Sequence, residues 1–195
     1  MTLTEKIKDY AQQLGFELVG ITPAKKTQAI KPYKQWLDNG YAGEMNYLKE
    51  HLPLKGDARS LLPEAKSLIS LGINYHTIDP PKELGSDPSR GQISRYAWGE
   101  DYHIIVRSKL RKLVESIEAA AKKKLKHKIC VDTAPIIERD FAERSGIGWV
   151  GKNTNLINWE SGSWYFLAEI LINVELDYNW LPSRGSCGTC TRCIE

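Results

Sequence analysis

At 195 residues, 42% hydrophobic and 9% aromatic, the chain can bury a sizeable core as one domain with a small appendage, and its composition excludes disorder. A formal net charge of +3, from 27 basic and 24 acidic residues, is too small to argue for nucleic-acid binding by charge alone. The start "MTLTEKIKDYAQQLGF" has charges throughout and no apolar signal core, and no run approaches the ~18 apolar residues of a membrane span. Four cysteines, three of them crowded at one end, do not form a secreted disulfide framework. These features predict a soluble cytoplasmic protein that does not engage a membrane.

In chain order, Leu3, Ile7, Tyr10, Ala11 and Leu14 share one helical face, with Thr2 and Glu5 spaced as a capping box and Gly15 placed as the stop. "FELVGIT" predicts a buried strand from Phe16 to Thr22, and Gln28 to Asn39 a second amphipathic helix ended by Gly40. "GEMNYLKEHL" predicts a shorter third helix, and Lys66 to His76 a strand. "TIDPPKELGSDPSRGQ", rich in Pro, Gly and charge, is an exposed loop.

From Asp101 to about Lys124 the periodicity predicts a long helix whose apolar face is Ile104, Leu110, Leu113, Val114, Ile117 and Ala121. Its end, "KKKLKHK", suits a helix C-terminus where cations meet the dipole, and offers the one basic cluster that could touch nucleic acid. "HKICVD" is a strand leading into "TAPIIERDFAERSG", with Pro135 expected in the first turn of a helix. "TNLINWESGSWYFLAEILINVEL" predicts a β-hairpin turning at Gly162, its second arm long and apolar. The alternation of helices and strands, with the hairpin late, points to an α/β (α+β) fold with a mixed sheet flanked by helices.

The chemistry concentrates at the end, "SRGSCGTCTRCIE". Cys187, Cys190 and Cys193 stand at a strict CxxCxxC spacing, the opening of a bacterial ferredoxin pattern, and Gly188 lets the backbone approach a cluster closely. The alternatives are a zinc site completed by His127 or His103, and three free thiols. Cys130, between apolar neighbours in a strand, reads as a small hydrophobe. A fourth ligand would fall about two positions past Glu195, so the chain reads as the front part of a longer ferredoxin-bearing protein.

Three further stretches, "ISRYAWGEDYH", "VDTAPIIERDFAERSGIGWVGKNTNLI" and "GSWYFLAEILIN", resemble, together with the cysteines and in register, the epoxyqueuosine reductases. These are cobalamin-dependent iron–sulfur enzymes of tRNA modification. The resemblance implies a flavin-reductase-like cobalamin-binding domain over residues 1–180 and the start of a ferredoxin-like 4Fe–4S domain over 181–195. It implies reduction of epoxyqueuosine to queuosine at the tRNA wobble position, by a monomer fed by an external electron donor, with this chain not competent alone. It implies Asp132 as proton donor, its carboxyl raised by burial against the corrin; read from the residues alone, Asp132 could equally cap the helix near Pro135. Cofactor contacts would come from Lys55, where relatives have Arg, and from Ser94, Asp132, Glu138, Arg139, Asn153, Thr154 and Ser163. Arg139 could instead pair with Glu143 along the helix. Tyr96 and Trp98 fall beside the corrin or in the core. Two competing classes are a ferredoxin-type electron carrier and a zinc-stabilised nucleic-acid-binding module.

Overall fold

The computed structural model describes residues 1–81, 87–178 and 185–195. The expected domain boundary at 180/181, and the middle of the loop after His76, lie outside the described residues. Helix α1 (Leu3–Gln13) starts on the expected capping box: Thr2 Oγ1 accepts the Glu5 N–H at 3.2 Å and Glu5 Oε2 accepts the Thr2 N–H at 2.7 Å. Strand β1 (Leu18–Pro23) follows, then α2 (Ile30–Asp38). "GEMNYLKEHL" yields two single-turn helices, α3 (Tyr47–Glu50) and α4 (Leu52–Lys55), where one was expected. After β2 (Ser67–Asn74) the chain reaches the long helix α5 (Tyr102–Ala121).

Helix α5 is capped by Asp101, whose Oδ1 accepts the His103 N–H at 2.9 Å, and it ends three residues earlier than expected because Lys122 turns left-handed at φ 52°. Val106, Leu110, Leu113, Val114 and Ile117 form its buried face. Ile104, expected on that face, is 69% exposed: it precedes Val106 by two residues, roughly 200° around the helix. The lysines beyond α5 pair with carboxylates, Lys124 with Glu118 at 2.7 Å and Lys126 with Glu64. Lys109 of α5 donates its ammonium to the Leu14 carbonyl at 2.5 Å, tying α5 to the end of α1.

Strand β3 (His127–Cys130), helix α6 (Glu138–Arg144), the short strands β4 (Trp149–Val150) and β5 (Leu156–Ile157), and β6 (Tyr165–Ile172) complete the order. The main sheet runs β1-β2-β6-β3, and every described pairing in it is antiparallel, so the expected mixed sheet is corrected to an antiparallel one. The hairpin is corrected too. Gly162 does turn the chain, at φ 78° with Asn158 bridged to it, but β5 pairs with β4 while β6 crosses into the centre of the main sheet.

Both faces of the sheet are covered. Ile21, Ile69, Leu71, Ala168, Ile170 and Ile172 pack beneath α1 and α5 in the main core. Leu68, Cys130 and Leu171 face the other way, onto Phe141 of α6 and Ile136. Cys130 is 1% exposed, and burial pushes its thiol up to about 12, the behaviour of a small hydrophobe. At Gly20 a Cβ would stand 2.6 Å from Ile147 Cγ2 and from Ser145 Oγ, so the glycine sets how closely the end of α6 approaches β1. Among the described residues, no helix is long and apolar enough to cross a membrane.

Candidate active site

Strand β3 delivers Val131 into the core and then releases the chain at Asp132, a non-glycine residue held left-handed at φ 55°. The helix expected to begin near Pro135 begins instead at Glu138, so Asp132 does not cap it. The connection is fixed from the far side: Glu138 Oε1 accepts the Asp132 N–H at 2.9 Å. The turn throws the Asp132 carboxylate outward, where its side chain is 60% exposed. The burial its expected role invokes is therefore not provided by protein side chains.

Two groups from the start of α5 meet this carboxylate. The Tyr102 hydroxyl donates to Asp132 Oδ2 at 3.2 Å, and His103 Nε2 lies 3.4 Å from the same oxygen. His103 Nδ1 is 2.8 Å from Asp101 Oδ1. The Asp101 carboxyl is held low by the backbone N–H and then the ring of His103, so it is an anion that fixes the ring proton on Nδ1. Nε2 of a neutral ring then has only a lone pair to offer Asp132 Oδ2, which suits an Asp132 bearing a proton; a doubly protonated ring donates to both carboxylates. His103 Nε2 and the Tyr102 hydroxyl thus converge on one Asp132 oxygen at the rim. Tyr102 is clamped between the His103 and Phe166 rings, each at 4.1 Å, and burial followed by the Asp132 charge pushes its phenol up to about 12, so it remains a donor.

Behind Asp132, desolvation first and the Asp132 charge second push the Glu138 carboxyl up to about 7, against the opposing pull of the Asp132 N–H, Arg139 and Lys55. Burial lowers Lys55, opposed by the Glu138 charge.

Asp132, Glu138, Arg139 and Ser163 line one hollow of about 190 Å³ together with Tyr102, Asn155 and Phe166. Tyr75 is shared with a larger adjoining cavity of about 750 Å³, walled by Ser94, Arg95, Tyr96, Trp98 and Trp164. Five of the residues expected around a cofactor line these two adjoining cavities: Asp132, Glu138, Arg139 and Ser163 the smaller one and Ser94 the larger, while Lys55 lines neither and acts on the site through its charge on Glu138. Tyr96 and Trp98 line the larger at 53% and 39% exposure and are not core.

Asn153 and Thr154 line neither of these cavities and shape the loop beside them. Asn153 Oδ1 closes a turn on the Asn155 N–H at 3.1 Å, Thr154 is left-handed at φ 66°, and its carbonyl accepts from Arg139. It is Asn155 that reaches the hollow. Arg139 is committed to that carbonyl, while Glu143 accepts the Val150 N–H at 3.1 Å, so the alternative ion pair along the helix is not made. Tyr75, Tyr102, Trp164 and Phe166 carried no site assignment from sequence; Tyr102, Trp164 and Phe166 are aromatic residues inside the stretches already singled out, whereas Tyr75 lies in the predicted strand Lys66 to His76 and carried no such signal.

The cysteine segment docks on the small sheet. Lys152 donates its backbone N–H to Cys187 Sγ at 3.4 Å and its ammonium to the carbonyls of Gly188 and Cys190 at 3.0 and 2.9 Å. The Lys152 backbone N–H lowers the Cys187 thiol, which favours its thiolate. The Cys190 N–H closes a turn on the Cys187 carbonyl at 2.9 Å. Cys190 and Cys193 are exposed, and among the described residues no three His, Cys, Asp or Glu side chains are gathered as metal ligands. A soft-donor turn with an N–H directed at sulfur fits the chemistry of an iron–sulfur cluster. The histidines offered for zinc are engaged elsewhere, His103 with Asp101 and Asp132 and His127 with the Leu125 carbonyl at 3.3 Å.

The described strands form an antiparallel sheet with helices on both faces, and Asp132, Tyr102 and His103 meet at the end of an aromatic trough. A catabolic reductive dehalogenase shares this fold at TM-score 0.56 and 13% identity, over 95% of the chain and 22% of its own length. The nearer likenesses are specific. The family model described as epoxyqueuosine reductase QueG, DUF1730, matches residues 55–133. The epoxyqueuosine reductase of Vibrio cholerae is 42% identical over 98% of the chain and 52% of its own length. The solved epoxyqueuosine reductase of Streptococcus thermophilus superposes at TM-score 0.85 with 27% identity, over 100% of the chain and 52% of its own. One solved with an epoxyqueuosine-modified tRNA-Tyr stem loop superposes at 0.80 with 30% identity, over 98% and 50%. The chain is thus similar over nearly its whole length to epoxyqueuosine reductases, and it spans about half the length of the curated relatives it matches.

Proposed function

We propose that the chain is the cobalamin-binding part of an enzyme that reduces epoxyqueuosine to queuosine in tRNA, with Asp132 as proton donor. The observation that carries this reading is the placement of Asp132: left-handed backbone, Tyr102 and His103 on one oxygen, and an aromatic trough in front. Cobalamin, when bound, supplies the strong low-potential reductant that opening an epoxide requires. The chain's own residues would do the rest. Tyr75, Tyr96, Trp98 and Trp164 offer flat apolar walls to a macrocycle and keep water from its face, and the domain is flavin-reductase-like in this role. Ser94, Ser163, Asn155, Arg139 and Lys55 offer donors for its peripheral amides, with Asn153 and Thr154 shaping the loop that Arg139 grips.

Asp132, loaded through His103 and steadied by Tyr102, would hold the proton that the departing oxygen takes, since an alkoxide leaves poorly. Cys187, Cys190 and Cys193 would ligate a 4Fe–4S cluster at the start of a ferredoxin-like segment, passing electrons from an external donor. The substrate is the anticodon stem loop, and the enzyme acts as a cytoplasmic monomer.

Two measurements test this. Titration of the chain with cob(II)alamin should give saturable binding with a base-off spectrum; a flat titration well above micromolar, with folded protein, would overturn the assignment. Asp132→Asn should keep that binding, because Asn tolerates the left-handed backbone. In single-turnover reduction by the complete enzyme, pre-reduced and cobalamin-loaded, it should slow the chemistry by ~100- to 10,000-fold. Loss of binding with chemistry per bound cofactor unchanged would make Asp132 structural.

A further inference from the structure

Across the sheet face beneath α6 runs one line of residues in register: Gly20 opposite Ser70, Ser70 opposite Glu169, and Glu169 opposite Cys130. Glu169 is 0% exposed, and neither of its carboxyl oxygens has a hydrogen-bond partner; the facing Ser70 hydroxyl has none either. A hydrocarbon would be the less costly occupant of this position in the central strand. The groups that face the carboxyl are Ser70 from β2, Cys130 from β3, and Glu138 from the first turn of α6, with Asp132, Arg139 and Lys55 around Glu138 in turn. Burial, reinforced by the negative charge of Glu138, drives Glu169 well above the usual carboxylate range.

The proposed reaction has a proton balance that Asp132 alone does not meet. Converting an epoxide to an alkene breaks two C–O bonds and releases the oxygen as water, which consumes two electrons and two protons. The electrons come from the external low-potential donor. One proton leaves Asp132; a second must reach it before the oxygen departs as water.

We infer that Glu169 and Glu138 form a two-carboxyl proton reserve behind Asp132, from which the second proton is drawn. The inference rests on the function proposed above. An O–H bond of Glu138 breaks as one on Asp132 forms, and Glu169, keeping its own proton, adds no second negative charge beside the Glu138 carboxylate left behind. Asp132 and Glu138 line the same hollow, so water within it can carry the proton from one carboxyl to the other. Glu169 is a positioning residue: it touches neither substrate nor cofactor and acts through Glu138.

The test begins on the chain itself, labelled with [5-13C]glutamate and followed by carbon NMR from pH 5 to 9. The Glu169 resonance should sit at its protonated position at pH 7 and should move in concert with that of Glu138. In Glu138→Gln the Glu169 movement near neutral pH should vanish. A Glu169 resonance at the ionised position at pH 7, or one indifferent to Glu138, overturns the reserve, and the wild-type spectrum decides this even if no variant folds. Glu169→Gln and Glu169→Leu in the complete enzyme should then reduce epoxide normally at pH 6 and about tenfold more slowly at pH 8. Rates equal to wild type at both pH values refute the inference. Absence of reduction by the wild type, with concerted resonances intact, would instead refute the proposed function.

Discussion

Replacing Glu138 by Gln should stabilise the chain at alkaline pH while leaving its stability at pH 4.5 nearly unchanged. The Glu138 carboxyl titrates at about 7 in the folded chain against an ordinary 4.5, because folding desolvates it beside Asp132. Between those values the unfolded chain binds fewer protons than the folded one, so stability falls as pH rises. The contribution is whole below 4.5 and gone above 7, and the gap corresponds to about 3 kcal/mol. Gln keeps an oxygen to accept the Asp132 N–H and cannot ionise. Glu169, whose shift has the same sign, is present in both proteins. For a chain of this size the difference amounts to roughly 6–12 °C in Tm. Thermal unfolding followed by circular dichroism at pH 4.5, 6, 7 and 8.5 measures it. The gap between variant and wild type should open between pH 4.5 and 7 and stay constant above 8. A gap that is the same at every pH would mean that Glu138 ionises normally, and the electrostatic description of the site would fall with it.

Gly20→Ala should cost about 1–3 kcal/mol in urea denaturation, because its Cβ would press on Ser145 and Ile147 where α6 meets β1. It should also return the Glu138 titration toward its ordinary value as α6 lifts, so a destabilised variant whose Glu138 still titrates near 7 would refute that coupling. Leu113→Ala, at 0% exposure beneath the opposite sheet face, should cost about 2–5 kcal/mol and leave the Glu138 titration in place. A loss under about 1 kcal/mol would mean that this face of α5 is not core.

Local signals carried far in this chain. The capping box at Thr2 and Glu5, the apolar periodicity around Leu110 and Leu113, and the turn at Gly162 are contacts within a few residues, and each was legible. What escaped was decided by partners distant in sequence. The turn at Gly162 reads as a hairpin because nothing local says that β6 will leave β5 for β2 and β3. Asp132 was found through the family resemblance. Its contacts with Tyr102 and His103, about 30 residues earlier, required the fold to bring the start of α5 over the end of β3. Glu169 stood in plain view inside "FLAEILIN", where a single acid in an apolar run looks like an exposed alternation; the cover of α6 makes it fully buried. Asn155 lines the hollow beside a left-handed turn at Thr154, a local geometry that spacing alone does not disclose.

The strand order bears on synthesis. β6 is the shared partner of β2 and β3: Ile172 lies opposite Ser67 on one side and His127 on the other. As the chain emerges from a ribosome, β1 and β2 can pair early, but β2 then presents an open apolar edge and β3 has no neighbour until Ile172 is free of the exit tunnel. Closing so long a loop is slow, and open strand edges invite pairing between nascent chains. The β6 and β3 half of the sheet therefore joins the early β1–β2 pair late, and mutations that weaken β6 should reduce soluble yield well before they alter the finished molecule.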